Sequence, residues 1–231
     1  MSMKVAIIVF PGTNREPDMA MAIEKAGGET PRFVWHKETD IGDADLIVLP
    51  GGFSYGDYLR CGAMAAHSPV MKEVIRKAES GTRILGVCNG FQMLVETRLL
   101  PGALLRNRSL RFICKHVHLK TETGDSEFTG KIGKDTVIKV PVAHGEGNYF
   151  ANDDIVHELE DGNRIAFRYC DENGVVTDES NPNGSVGNIA GIMNKRKTIL
   201  GMMPHPENAT QNWQDNQSGL TLFESILGAL N

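Results

Sequence analysis

A cysteine framed by glycines, Gly86-Val87-Cys88-Asn89-Gly90, sits where an apolar strand-like run turns into the helix-like stretch Phe91-Gln92-Met93-Leu94. This is the spacing of a nucleophile elbow, in which the turn is so tight that a Cβ at either flanking position would meet neighbouring backbone. Such a turn presents its central side chain outward, and the helix N-terminus behind it favours an anion, so thiolate chemistry is implied. A thiolate nucleophile needs a base and a group to orient that base. Pro204-His205-Pro206-Glu207 offers both in a proline-stiffened turn, with His205 to exchange protons and Glu207 to hold the imidazole. Pro50-Gly51-Gly52-Phe53 is a third component, since backbone N–H groups in so bare a turn, together with that of Asn89, can form an oxyanion hole. Taken singly, the three segments also read as a small buried cysteine, a surface turn and a glycine turn.

Elements that would position these residues are visible on either side. Val5 to Phe10 is a continuous apolar run closed by Pro11-Gly12, as expected of a strand buried on both faces. Asn14 and Pro17 read as N-cap and first helical residue, and Met19, Ala22, Ile23 and Ala26 then recur at helical spacing before Gly27-Gly28. Segments 32–36, 46–49 and 83–87 are further strands, and Val70, Met71, Val74, Ile75 and Ala78 mark a helix stopped at Gly81. Strands alternating with helices predict a parallel sheet covered on both faces, with ligands at the carboxyl ends of the strands. Pro50-Gly51-Gly52 and Cys88 both fall at such ends. From about residue 112 to 203 the pattern changes to short β-like stretches, at 112–119, 137–142, 164–170, 189–193 and 199–203, which predicts added antiparallel strands and hairpins. Leu220, Phe223, Ile226, Leu227 and Leu230 close the chain as an amphipathic helix.

With 231 residues, 41% hydrophobic and 23% charged, the chain suits one α/β domain spanning 1–231. The 29 acidic and 24 basic side chains give a net charge of −5, which supplies no field to attract nucleic acid or anionic lipid. Four cysteines without CxxC spacing, and no long apolar run, point to reduced thiols in a cytoplasmic protein.

The order PGG, GxCxG, HPE strongly resembles the class I glutamine amidotransferases. VFPGTN near the start, LPGGFSYGDYLRCGA at 49–63, GVCNGFQ at 86–92, LLPGAL at 99–104, HGEG at 144–147 and MPHPE at 203–207 extend the resemblance over nearly the whole chain. They are similar to the branch whose glutaminase subunits serve the conversion of formylglycinamide ribonucleotide to its amidine in purine synthesis. The resemblance implies a mostly parallel, flavodoxin-like sheet with helices on both faces plus added antiparallel strands. It implies glutamine as substrate, Cys88 attacking the side-chain amide to form a γ-glutamyl thioester, His205 as proton carrier and Glu207 as its orienter. By the same resemblance Gly52 and Asn89 are oxyanion donors and Gln92 contacts glutamine. No cofactor is expected in this chain: ATP and Mg belong to a partner synthase subunit, with a small accessory subunit bridging the complex. One departure is Arg15 after Asn14, where many relatives carry a cysteine.

Other features point less sharply. Cys114, His116 and His118 share a strand face but supply only three metal ligands, so no metal site is expected. Arg106, Arg108, Arg111 and Lys115 form a basic stretch that suits a solvated face or an acidic patch on a partner. The glycines at 51–56 match neither a P-loop nor a dinucleotide fingerprint. His144, in a glycine-rich loop, is open between pocket and partner interface. A γ-glutamyl hydrolase or deglycase-type α/β protein is the rival enzyme; a non-catalytic scaffold would have lost Cys88, His205 or Glu207, and all three are present.

Overall fold

The computed structural model describes residues 3–57 and 61–228. Its strands are β1 (Val5–Val9), β2 (Arg32–Trp35), β3 (Leu46–Leu49), β4 (Arg83–Val87), β5 (Ala103–Leu105), β6 (Ile113–Thr121), β7 (Val137–His144), β8 (Asn148–Phe150), β9 (Ile165–Cys170), β10 (Ile189–Met193) and β11 (Ile199–Met202). The helices are α1 (Glu16–Lys25), α2 (Cys61–Ala66), α3 (Pro69–Ser80), α4 (Asn89–Glu96), α5 (Asp153–Asp161) and α6 (Leu220–Gly228). A nine-stranded sheet has the order β2-β1-β3-β4-β11-β10-β9-β6-β7, and β5 pairs separately with β8.

The sheet has two halves. From β2 to β11 every pairing is parallel, and the inner strands are apolar on both faces: Ile47, Val48, Ile84, Leu85 and Leu200 are all inaccessible to solvent. From β11 to β7 every pairing is antiparallel. β6 and β7 alternate there, with Val117, Leu119, Val140 and Val142 turned inward. The antiparallel half was expected to include the stretch from Ile199. β11 does pair antiparallel with β10, but its other edge lies parallel to β4, with Gly201 opposite Gly86, so it is the strand that joins the two halves. Its apolar run is that of a central strand, and direction is not written in composition.

Helix ends follow local chemistry. α3 stops where Gly81 takes φ 96°, and Thr82 N–H closes onto Lys77 O at 3.0 Å. At α1 the N-cap is Arg15, not Asn14, and Pro17 falls inside the first turn, where its missing N–H costs no intrahelical bond. α5 was not expected, because only Ile155, Val156 and Leu159 of its nine residues are apolar. Its signal was the cap: Asn152 Oδ1 accepts from Ile155 N–H at 3.1 Å. α2 and the β5–β8 pair were also unforeseen. Tyr58, Leu59 and Arg60 of the long glycine-rich motif, and Leu230 of the terminal helix, lie outside the described residues.

The sheet curls. β7 is its last strand, which is why Pro141 is tolerated there. Yet Pro141 O accepts the His205 N–H at 2.8 Å, bringing the far edge back onto the turn that follows β11.

Candidate active site

Cys88 is the N-cap of α4, with φ 52° and ψ −108°. A non-glycine residue held there is strained, and surrounding structure must over-determine it. The flanking glycines show how. A Cβ on Gly90 would lie 1.9 Å from Leu49 O, and one on Gly86 would lie 2.5 Å from Leu94 Cδ1 and 2.8 Å from Gly90 O. The elbow packs that tightly against β3 and its own helix. Cys88 N–H continues the sheet by donating to Met202 O at 2.9 Å.

One expectation is corrected. The turn was expected to expose the thiol, but Cys88 is only 3% accessible. The Ala143 carbonyl at the end of β7 approaches Sγ to 3.8 Å, and Gly51 covers it from β3. A Cβ on Gly51 would sit 3.3 Å from Cys88 Cβ and 2.6 Å from His205 Cε1, so cysteine and imidazole converge over that glycine.

His205 and Glu207 are buried together, with Nδ1 and Oε1 2.6 Å apart. The turn is fixed by Thr210 Oγ1, which donates to Glu207 O at 3.1 Å. It is packed by Gly219, where a Cβ would lie 2.2 Å from Pro206 O. Burial opposes a charge on His205, but the Glu207 carboxylate and the neighbouring Cys88 outweigh it and raise the imidazole's pKa to about 10. With Nδ1 engaged by Glu207, the other ring nitrogen, Nε2, is buried without a hydrogen-bond partner. A buried polar atom without a partner is costly, and the group beside this ring is Cys88, whose charge and hydrogen bonding help raise the imidazole's pKa.

The glycine turn after β3 is tied to the elbow. Asn89 Oδ1 accepts from Ser54 N–H at 2.8 Å, and Gly52, at φ 147°, bridges to Thr13 beside β1. A Cβ on Gly52 would lie 2.7 Å from Asn14 N, so this turn must be bare. Gln92 lies one helical turn from Cys88. Its side chain spans to neighbouring segments, accepting from Asn89 Nδ2 at 2.9 Å and donating to Glu146 O at 2.8 Å.

The structure thus brings Cys88, Asn89, Gln92, Gly52, His205 and Glu207 to the carboxyl ends of β3, β4 and β11. Cys114, His116 and His118 do line one face of β6, with Cys114 and His116 exposed. Among the described residues no group of three or more potential ligands is arranged to hold a metal. His144 is inside, fully hydrogen-bonded, and burial followed by the nearby His205 lowers its pKa to about 4. Sequence reasoning passed over its partners Asn107 and Asn183, and the carbonyls of Ala143 and Glu146. Nothing in composition marks a backbone oxygen, whereas the buried Asn107 and Asn183 and the half-buried Asn181, among glycines and serines, were at least a visible cluster of loop amides.

A sequence profile for the CobB/CobQ-like glutamine amidotransferase domain matches residues 2–224. The phosphoribosylformylglycinamidine synthase subunit PurQ of Rhodospirillum rubrum is 55% identical over 230 residues, covering 99% of this chain and all of that protein. The corresponding subunit of Nitrobacter winogradskyi is 52% identical, covering 99% and 98%. Among solved structures, a chain of PurLQS from Thermotoga maritima superposes with a TM-score of 0.88 at 41% identity, each chain covered completely. Profile and full-length relatives agree that this chain belongs to the CobB/CobQ-like glutamine amidotransferases and, among them, to the PurQ family.

Proposed function

We propose that this chain hydrolyses glutamine to glutamate and ammonia as the glutaminase subunit of a phosphoribosylformylglycinamidine synthase. The single observation that carries its chemistry is the convergence of His205 and Cys88 over Gly51, with Nδ1 held by a fully buried Glu207. His205, its pKa raised to about 10, already holds the proton shared with the Cys88 thiol, and Sγ attacks the side-chain amide carbon of glutamine. The negative oxygen that develops faces the Gly52 and Asn89 backbone N–H groups. The C–N bond then breaks, the departing amine takes the proton from His205, and ammonia leaves a γ-glutamyl thioester on Cys88. Water attacks that thioester with His205 as base, releasing glutamate and restoring the thiol. Glu207 keeps the ring oriented and balances its charge while it carries the proton. Gln92, anchored between Asn89 and Glu146, contributes to holding glutamine.

The Thermotoga maritima relative belongs to a PurLQS assembly, and this chain assembles in the same way, with a PurL-type synthase subunit and a small PurS-type subunit. An amide oxygen is a poor leaving group, so making the amidine from ammonia needs ATP and Mg, which the synthase subunit binds. Phe53 and Phe112, about half exposed and stacked with centroids 6.4 Å apart, lie beside the site and suit cover by such a partner. No helix among the described residues is long and apolar enough to cross a membrane; the work is cytoplasmic. Incubation with a glutamine-mimicking electrophile, followed by peptide mass spectrometry, tests the proposal. A single adduct on Cys88 and none on Cys114 or Cys170 is expected; equal labelling of all cysteines, or none, refutes it.

A further inference from the structure

Asn107 has no solvent exposure, and its hydrogen-bonding capacity is filled. Its backbone N–H donates to Gly145 O at 2.9 Å. Its side-chain NH2 donates to Arg111 O and His144 O, both at 2.8 Å. Oδ1 accepts from Gly147 N–H at 3.1 Å and from His144 Nδ1 at 3.0 Å. The amide cannot be turned over, because a flip would set its NH2 against the Gly147 N–H and its oxygen against two carbonyls. That orientation also fixes the imidazole: the proton is on Nδ1, and Nε2 is a lone-pair nitrogen facing the Asn183 amide at 3.5 Å. Gly147 lets the ring lie flat on the backbone, since a Cβ there would be 2.4 Å from His144 Cε1.

This lock holds the end of β7. On one side of His144, the Ala143 carbonyl meets the Cys88 thiol; two residues further on, the Glu146 carbonyl receives the Gln92 side chain. Cys88, His205 and Glu207 themselves follow strands β4 and β11; β7 adds Pro141 O at the His205 N–H, ahead of the locked segment, and Ala143 O at the thiol, at its start. We propose that the Asn107–His144 pair is a positioning element of the glutaminase site, setting the 143–147 segment and with it the substrate-facing surface around Gln92 from a loop outside the site. The inference rests on the glutaminase reading. Without the lock, the segment shifts against Gln92 while the nucleophile and base stay in register, so glutamine binding suffers more than turnover.

The test uses the full chain assembled with its synthase partners, as wild type, Asn107→Ala and His144→Phe, assayed with glutamine and separately with ammonium as nitrogen source. The KM for glutamine should rise on the order of tenfold in Asn107→Ala, the scale of a sub-ångström to ångström misplacement. It should rise less in His144→Phe, which keeps a ring on Gly147 and loses the Nδ1 donor and the long Nε2 contact with Asn183. kcat should stay within about threefold, and ammonium-driven synthesis should be unchanged. A merely structural lesion would lower kcat with the fraction of intact complex and leave KM alone. An assembled Asn107→Ala enzyme with wild-type KM, or with a loss confined to kcat, overturns the inference. If that variant does not assemble, His144→Phe decides: an unchanged KM overturns it. A wild-type complex that uses ammonium but not glutamine instead overturns the glutaminase reading beneath it.

Discussion

The parallel and antiparallel halves of the sheet serve the site in different ways. The parallel half delivers side chains, Cys88 after β4 and His205 and Glu207 after β11, around the bare Gly51-Gly52 turn after β3. The antiparallel half delivers main chain, namely Pro141 O to the His205 N–H, Ala143 O to the thiol and Glu146 O to Gln92. Side chains at strand ends can do chemistry directly, and they tolerate no replacement. Carbonyls at a curled edge can only position, so the residues carrying them are freer, provided the backbone path is kept.

The sharpest test of the first half is Glu207→Gln. Removing the carboxylate removes the chief influence that raises the pKa of His205, so a histidine titration followed by NMR should show that pKa fall. Turnover with glutamine should fall by about 10²–10⁴-fold, the range set by losing the orienting acid of a triad. Next comes Gly90→Ala, which forces a Cβ to within 1.9 Å of Leu49 O. The elbow must then open, and denaturant unfolding should register a loss of about 3 kcal/mol or more. A Gly90→Ala protein of normal stability and activity would mean that the elbow is not tightly packed.

In the antiparallel half the effects shrink. His144 has its pKa lowered to about 4. Since the unfolded chain binds that proton near pH 6.5 and the folded chain does not, stability is lost as pH falls from about 6.5 toward 4. His144→Phe should flatten that acid slope in thermal or denaturant unfolding, and an unchanged slope would contradict a buried neutral imidazole. Smallest of all is Gly145→Ala. Its Cβ would meet only Phe112 Cδ2, at 4.0 Å, so stability should stay within about 0.5 kcal/mol. Comparison of the two alanine variants by the same unfolding measurement puts the two halves side by side.

The two halves also differ in how legible they are in sequence. Gly86 and Gly90 could be read as requirements because a tight turn leaves no room for a side chain, and the clashes at both positions bear out that reason. β1, β3, β4 and the α3 stop at Gly81 followed from apolar runs and turn chemistry. The rest depended on long-range geometry. β11 reads as one more short stretch until it is known to slot beside β4. α5 hides its helical period behind acidic residues. Asn107 looks like any loop asparagine until Gly145, His144 and Gly147 are seen around it. The buried thiol was missed for the same reason: what covers it is a carbonyl from the sheet's far edge.

The position of β11 bears on how the protein is born. It is the last strand in the chain, yet it lies in the middle of the sheet, between β4 and β10. A chain still emerging from the ribosome can pair β1 to β4 on one side and β6, β7, β9 and β10 on the other, with nothing to join the two sheets. Such a nascent chain carries Cys88 but neither His205 nor Glu207. Joining distant segments is also the slow step of folding. Insertion of β11 closes the sheet and, in the same event, carries His205 and Glu207 to Cys88.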